Sequence, residues 1–198
     1  MIEVKPVTAD LMADADAIFA SSKGTEHCFC MWFIIPVRDY HAGGREANRR
    51  LFCDLVERSA APVGLLAYLD GDVVGWCAVG PRSRYVRALR TPTYRDRDPS
   101  EDDDVWFVPC FYVHEDARRR GVSRALLEAA VDLARRNGAT AIEGFPFAEG
   151  AYRTKDGMVG TESLFASCGF TVRARPSHAR VIMRLELLPS RPSARRRP

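Results

Sequence analysis

The sequence has no long apolar run, and this absence excludes an ordinary membrane-spanning helix. A span needs about 20 consecutive apolar residues, whereas the longest apolar segment, Val105 to Val113, is short and is interrupted by Pro109. The first residues, Met1 to Val7, also lack the basic-then-apolar layout of a secretory signal. We therefore expect no membrane association and a cytoplasmic location.

Neither of the two common phosphate-binding loops is present. The sequence contains no G-x-x-x-x-G-K-[ST], which excludes a P-loop nucleotide triphosphatase, and no G-x-G-x-x-G, which argues against a dinucleotide-binding fold. Paired C-x2-C spacings typical of zinc sites are also missing. Cys28 and Cys30, with His27, His41 and Cys53 nearby, give only a weak metal signal. We expect no metal and reduced thiols.

The sequence has little net charge outside its last residues. The formal net charge is +3, but Arg191, Arg195, Arg196 and Arg197 contribute four positive charges, which leaves the rest of the chain at −1. Residues 189–198 have no apolar anchor, so we predict a disordered basic tail after a single domain over residues 1–188. A body with so little charge is not expected to bind nucleic acid.

What the sequence does contain is an arginine-rich joint between an apolar segment and a periodic one. Val105–Val113 predicts a strand, and Arg124 to Asn137 predicts a helix. The apolar stripe of that helix consists of Leu126, Leu127, Ala130, Leu133 and Ala134. The joint holds three consecutive arginines and Gly121. Since amides at a helix N-terminus are unpaired and that end is partly positive, the joint predicts a pyrophosphate site.

The remaining pattern predicts a mixed α/β fold. Strand, helix and strand around residues 105–145 imply a right-handed parallel crossover. Residues 81–104 show no sustained period and predict a long excursion on the surface. The other predicted elements are a strand from Ile2 to Val7, a helix over 9–20, a helix after Gly43-Gly44 with Ala47, Leu51, Phe52, Leu55 and Val56 on one face, a hairpin turning at Asp70-Gly71-Asp72, a helix over 161–167, and strands over 170–175 and 181–187.

The motif Arg118-x-x-Gly121-x-Ser123 follows a strand and opens a helix, and it resembles the acetyl-CoA signature of the GNAT superfamily of N-acetyltransferases. That signature usually reads Gln/Arg-x-x-Gly-x-Gly/Ala, and Ser123 departs from it while remaining small. The order of elements resembles the superfamily over about residues 1–188. The resemblance implies an α/β fold with a central mixed, mostly antiparallel, splayed sheet flanked by helices.

The resemblance also implies how acetyl-CoA is bound. Amides of residues 119–124 would hold the pyrophosphate, and the pantetheine would pair with the strand that precedes the joint. The implied cofactor-binding residues are Phe111, Tyr112, Val113, Arg118, Arg119, Arg120, Gly121, Val122, Ser123 and Arg124. Because Pro109 cannot donate a ladder hydrogen bond, we predict a bulge near Pro109-Cys110 that parts this strand from its neighbour. The alternative is a core strand with an ordinary irregularity.

The superfamily's usual proton donor is absent. A tyrosine in a pattern like Leu-Tyr-x-x-x-Gly-Phe often serves as the acid, but this chain has Phe165 there, which has no proton to give. Tyr152, ahead of that helix, is a candidate substitute. Glu143 lies in the otherwise apolar run Ala141-Ile-Glu-Gly-Phe. It is either a general base acting through water or a member of a structural ion pair, because a buried carboxylate needs a partner.

The predicted activity is direct transfer of an acetyl group from acetyl-CoA to a primary amine of a small molecule, in a ternary complex. Residues 26–41 and 81–104 are expected to recognise the acceptor. Residues 28–33 are too apolar for a free loop, so they pack in the core beneath the cleft or form the wall of a pocket. The absent tyrosine leaves a non-catalytic CoA-binding or regulatory domain as the alternative, and a homodimer is left open.

Overall fold

A computed structural model describes residues 1–151 and 158–187, whose strands form one seven-stranded sheet. Tyr152 and the basic tail lie outside the described residues. The strands are β1 (Ile2–Pro6), β2 (Gly64–Leu69), β3 (Asp72–Pro81), β4 (Val105–Val113), β5 (Ala141–Gly144), β6 (Thr171–Ala174) and β7 (Ile182–Glu186). The helices are α1 (Met12–Ala20), α2 (Val37–Arg58), α3 (Val86–Leu89), α4 (Val122–Arg136) and α5 (Glu162–Ser167).

The sheet is mixed and mostly antiparallel, as predicted. Its strand order is β1-β2-β3-β4-β5-β7-β6, and β4 with β5 is the parallel pair among otherwise antiparallel neighbours. The parallel pair is joined through α4, which confirms the predicted crossover. The β2–β3 hairpin turns at Asp70 and Gly71, which have φ of 54° and 100°. Two successive positive φ values match the twist of the flanking strands, which is why Asp-Gly is favoured there.

Alternate residues of the central strands pack into two apolar clusters on opposite faces, as the period of two requires. On one face the sheet packs against α4, whose predicted stripe of five residues is fully buried. On the other face it packs against α1 and α2, with Trp76 and Phe52 among the buried side chains. The sequence places the start of the second helix after Gly43-Gly44, whereas the structure begins it at Val37 and interrupts it at Gly44 (φ 59°, ψ −164°). Leu51, however, was wrongly placed on the inner face, since it is exposed.

Residues 81–104 are not the surface excursion that the sequence predicts. This segment contains α3 and three short 3-10 turns, and it buries Arg82, Tyr85 and Tyr94 against the sheet. The two tyrosines pack on either side of Phe107, with ring centroids 5.5 and 5.2 Å away. The segment therefore forms a third apolar cluster next to the parallel strand pair.

The apolar segment after α1 is core packing, which was one of the two alternatives. Phe29, Cys30 and Met31 are buried against Phe52 and Trp76. Phe29 and Cys30 have φ of 42° and 54°, so the backbone is held in the left-handed region to bring these side chains inward. None of the helices in residues 1–151 and 158–187 is long and apolar enough to span a membrane.

Candidate functional site

The parallel strands β4 and β5 separate partway along their length. They pair from Val105 with Ala141 to Val108 with Gly144. Beyond that point the chain after β5 turns away, and Phe147 forms bridges to Thr161 and Arg180. The last four residues of β4, Cys110 to Val113, therefore pair with β3 on one side and have no strand partner among the described residues on the other, which leaves an opening between β4 and β5.

A β-bulge lies where the strands separate. Ala78 of β3 is opposite Cys110, whereas Gly80 is opposite Phe107. One residue of β3 therefore faces both Val108 and Pro109, which is the arrangement of a bulge. The predicted bulge is confirmed, one residue earlier than expected. Since proline has no N–H, the sheet loses one possible ladder hydrogen bond here, and the bulge redirects the end of β4.

The joint between β4 and α4 presents free backbone amides. Arg119 and Gly121 both have positive φ, of 60° and 86°. The first backbone hydrogen bond of the helix runs from Ala125 N to Gly121 O. Within the described part of the chain, no backbone acceptor is found for the amides of residues 119–124. Successive amides with alternating backbone conformations at a helix N-terminus form a concave anion site.

The arginines around these amides are largely available to a ligand. Arg118 donates to the carbonyl of Val113 at 3.3 Å and is exposed. Arg120 is 3.8 Å from Asp70, and Arg124 binds Glu128 along the helix at 2.9 Å. Arg119 has no ion pair or hydrogen bond among the described residues. The joint therefore fits a doubly charged pyrophosphate, because it offers both free backbone amides as hydrogen-bond donors and positively charged arginines.

The side chains of β4 past the bulge point alternately to the two faces. Phe111 is buried on the α4 face, where its ring centroid is 5.9 Å from that of Phe165. Tyr112 is buried on the other face and accepts a hydrogen bond from Ser21 Oγ at 3.0 Å. Val113 is half-buried at the end of the strand. These contacts fix the strand, and they leave its backbone edge toward β5 as the surface on which an extended ligand could pair.

Phe165, at the position of the superfamily's tyrosine, is fully buried. Its ring packs edge-on against Phe170, with centroids 5.0 Å apart, and lies over Gly144 and Gly160. A Cβ at position 144 would collide with this ring. The phenylalanine thus closes the floor of the opening between β4 and β5, and it contributes no acid.

Glu143 lies between two arginines. Its Oε2 accepts from Arg82 Nη1 at 3.0 Å, and its Oε1 accepts from Arg184 Nη1 at 3.1 Å. The side chains of Glu143 and Arg82 are 3% and 1% exposed, so this pair is withdrawn from water. Although burial acts to lower the pKa of Arg184, its hydrogen bonds to three carboxylates raise it. The general-base role stays a prediction, while these contacts favour the ion-pair alternative.

Sequence reasoning did not find Arg82. It follows β3 directly, and its guanidinium also binds Asp102 at 2.7 Å and the carbonyl of Asp98 at 2.7 Å. A buried arginine in a segment without periodicity has no local signal, and only the run of acidic residues before β4 hints at a partner. In the described ranges no group of three or more His, Cys, Asp or Glu side chains could hold a metal, and the six cysteines are free.

Comparison with known proteins points to one family. The model of the acetyltransferase (GNAT) family matches residues 29–153, and no curated protein matches the chain. Protein yncA from Salmonella typhimurium, solved with its cofactor acetyl-CoA, is 18% identical, with 98% of both chains covered and a TM-score of 0.57. The PaiA N-acetyltransferase from Thermoplasma acidophilum, in complex with coenzyme A, is 12% identical (94% of this chain, 99% of that one; TM-score 0.54).

The ribosomal-protein-S18-alanine N-acetyltransferase from Escherichia coli is 13% identical, with 97% of both chains covered and a TM-score of 0.53. At these identities the similarity shows a shared fold. The family match covers the bulge, the opening between β4 and β5 and the arginine-rich joint.

Proposed function

Because this chain belongs to the acetyltransferase (GNAT) family, we propose that it transfers the acetyl group of acetyl-CoA directly to a primary amine of a small molecule. Acetyl-CoA is the acetyl donor, and when bound it supplies an activated acetyl group as a thioester. The observation that carries the proposal is the parting of β4 from β5 at the bulge, together with the free amides at the N-terminus of the helix that follows β4.

The joint and the strand edge have separate tasks in this proposal. The amides of residues 119–124, with Arg118, Arg119, Arg120 and Arg124, hold the pyrophosphate through charge-assisted hydrogen bonds. The free edge of β4 at residues 111–113 holds the extended amide-bearing arm. This edge also orients the thioester near the bulge, where a backbone N–H can polarise its carbonyl. Much of the rate then comes from proximity rather than from side-chain chemistry.

Transfer in a ternary complex needs no covalent intermediate on the enzyme, because every bond and proton is accounted for between the amine and acetyl-CoA. The amine nitrogen forms a bond to the acetyl carbon, the thioester C–S bond breaks, and a proton from the amine ends on the thiol of CoA. We propose that Tyr152, which lies outside the described residues, gives its phenol proton to the leaving sulfur and regains a proton from the amine. Because each oxygen of Glu143 accepts a hydrogen bond from an arginine, we favour proximity with a structural Glu143 over a general base acting through water.

Titration of acetyl-CoA into the protein by calorimetry tests donor binding. Arg119→Glu and Gly121→Asp should abolish binding, because each places a carboxylate at the pyrophosphate site. The thermal unfolding midpoint of Arg119→Glu should stay close to that of the unaltered chain, whereas Gly121→Asp should lower the midpoint while the chain still folds, because Gly121 has a φ of 86°. Asp132→Asn, further along α4 and paired with Arg135 rather than with a residue of the joint, is the matched control and should bind normally. Unchanged affinity in both joint variants would overturn the assignment of the joint.

A non-catalytic CoA-binding domain is the second candidate, and the burial of Phe165 at the tyrosine position is the observation that favours it. Release of free CoA thiol is measured with a panel of primary amines. Amine-dependent release supports the acetyltransferase. Binding of acetyl-CoA without turnover on any amine supports the non-catalytic alternative. The domain bounds 1–188, the tail 189–198, a cytoplasmic location and a homodimer remain predictions.

A further inference from the structure

A cavity of about 260 Å³ lies against β5 at Glu143, one residue before the last pair of β4 with β5 at Gly144. Its walls come from β5, from β6 and the residues after it, and from the segment that precedes β4. Phe145 packs between this cavity and the bulge. Its ring centroid is 6.2 Å from that of Tyr94 in the cavity wall and 5.3 Å from that of Phe107, just before the bulge.

One buried hydroxyl in the wall lacks a partner. Tyr94 is 1% exposed, and among the described residues its phenol makes no hydrogen bond. A buried polar group left unpaired costs about 1–3 kcal/mol, so a ligand group that accepts from this hydroxyl recovers that cost. Burial raises the pKa of Tyr94 well above its usual value, which keeps the phenol protonated and able to donate.

Two charged side chains of the same cavity are also unpaired. Most of its charged residues are engaged with the protein, such as Arg82 with Glu143 and Arg175 with Glu162. Asp96 and Arg173, in contrast, have no ion pair or hydrogen bond within residues 1–151 and 158–187. They come from different chain segments, so the cavity offers one free carboxylate and one free guanidinium.

Building on the proposed N-acetyltransferase function, we propose that this cavity binds the head group of the acceptor, and that the acceptor is a basic amino acid. Its carboxylate lies between Arg173 and the Tyr94 hydroxyl, and its α-ammonium binds Asp96. The aliphatic chain passes the ring of Phe145, and the side-chain amine reaches the opening, where it takes the acetyl group as described above. A cavity of this volume suits a ligand of amino-acid size.

Three probes with the same terminal amine test the head group. Lysine has both charges, 1,5-diaminopentane lacks the carboxylate, and 6-aminohexanoate lacks the α-ammonium. Calorimetric titration of the full chain in the presence of CoA should give lysine at least about a tenfold lower Kd than either analogue, since each loses a charge-assisted contact. Arg173→Ala should remove the advantage over 1,5-diaminopentane, and Asp96→Asn the advantage over 6-aminohexanoate.

Tyr94→Phe and Tyr85→Phe form a matched pair, because both hydroxyls are buried without a partner and only that of Tyr94 belongs to a residue of the cavity wall. Tyr94→Phe should weaken lysine binding without lowering the unfolding midpoint, and Tyr85→Phe should leave binding unchanged. Equal Kd values for the three probes, or lysine binding that neither Arg173→Ala nor Asp96→Asn weakens, overturn this inference.

Release of CoA thiol, measured on the same probes with acetyl-CoA, separates the two proposals. Turnover of amines without preference for the amino-acid head group contradicts the cavity assignment and leaves the acetyltransferase intact. Lysine binding that depends on Arg173 and Asp96 but gives no turnover, together with inactivity on all other amines, supports the head-group site and contradicts the proposed function.

Discussion

Replacing Glu143 by glutamine separates a structural role from a catalytic one. The carboxylate accepts one hydrogen bond from Arg82 and one from Arg184. A glutamine keeps one acceptor oxygen, but its NH2 faces the other guanidinium, and each buried guanidinium loses one of its counterions. Breaking a buried pair costs about 3–5 kcal/mol. Because Arg82 keeps Asp102 and Arg184 keeps Glu101, we expect the lower end of that range, about 3 kcal/mol.

For a chain of this size, about 3 kcal/mol corresponds to a fall of roughly 6–12 °C in the unfolding midpoint. Thermal unfolding gives the midpoint, and initial rates at a temperature where the variant stays folded give kcat. We expect a large fall in Tm with kcat reduced less than about tenfold. Glu186→Gln is the matched control, since Glu186 also binds Arg184 but is exposed, and such a pair contributes about 0–1 kcal/mol.

The opposite result would refute the structural role. A Glu143→Gln variant with unchanged Tm and normal acetyl-CoA affinity, but a large loss of kcat and an altered pH–rate profile, would make Glu143 the general base. Replacing Glu143 and Arg82 together by leucine offers a further check. If the pair is structural, the double variant should be more stable than Glu143→Gln, because no buried charge is left unpaired.

Three further predictions concern the joint, the floor of the opening and α5. Arg119→Gly should weaken acetyl-CoA binding about tenfold or more by calorimetry. Because glycine accepts the positive φ at this position, the free energy of unfolding should stay equal or rise by up to about 1 kcal/mol. A loss of stability would contradict this prediction. Gly144→Ala should cost about 1–3 kcal/mol in urea unfolding through collision with Phe165, and Phe165→Leu in the same chain should recover part of that loss. The hydrogen bond from Arg175 lowers the pKa of Glu162. The ion pair therefore stabilises the fold above the unfolded-state pKa of about 4.3, and this stabilisation is lost as the pH falls through the lower folded-state pKa. Glu162→Gln should be less stable than the unaltered chain by about 0.2–1 kcal/mol at neutral pH, and the difference should vanish in acid.

The structure of the joint could be predicted because its signals are local. The period of α4, the glycine and arginines that precede it, and Pro109 within β4 are all read from neighbouring residues, and the structure bears out the helix, the free amides and the bulge. The resemblance to the GNAT superfamily rested on this stretch and on element order, and the family match confirms it.

The contacts of Glu143 and the burial of Tyr94 could not be predicted because they depend on long-range neighbours. Arg82 and Glu143 are 61 residues apart in sequence, and Arg184 is a further 41 residues beyond Glu143. No pattern in residues 81–104 marks Tyr94 as buried, since its neighbours are charged residues, threonines and prolines. The sequence alone therefore does not decide whether Glu143 is a general base or a member of an ion pair. The arginines that contact it in the folded chain favour the ion pair.

Amide hydrogen exchange with and without acetyl-CoA tests the central claim most directly. In the free protein the amides of residues 119–124 have no backbone acceptor and should exchange rapidly. Bound acetyl-CoA should slow exchange at these amides and along β4 at residues 111–113. Protection elsewhere, with residues 119–124 still exchanging rapidly at saturating acetyl-CoA, would contradict the assignment of the joint as the pyrophosphate site.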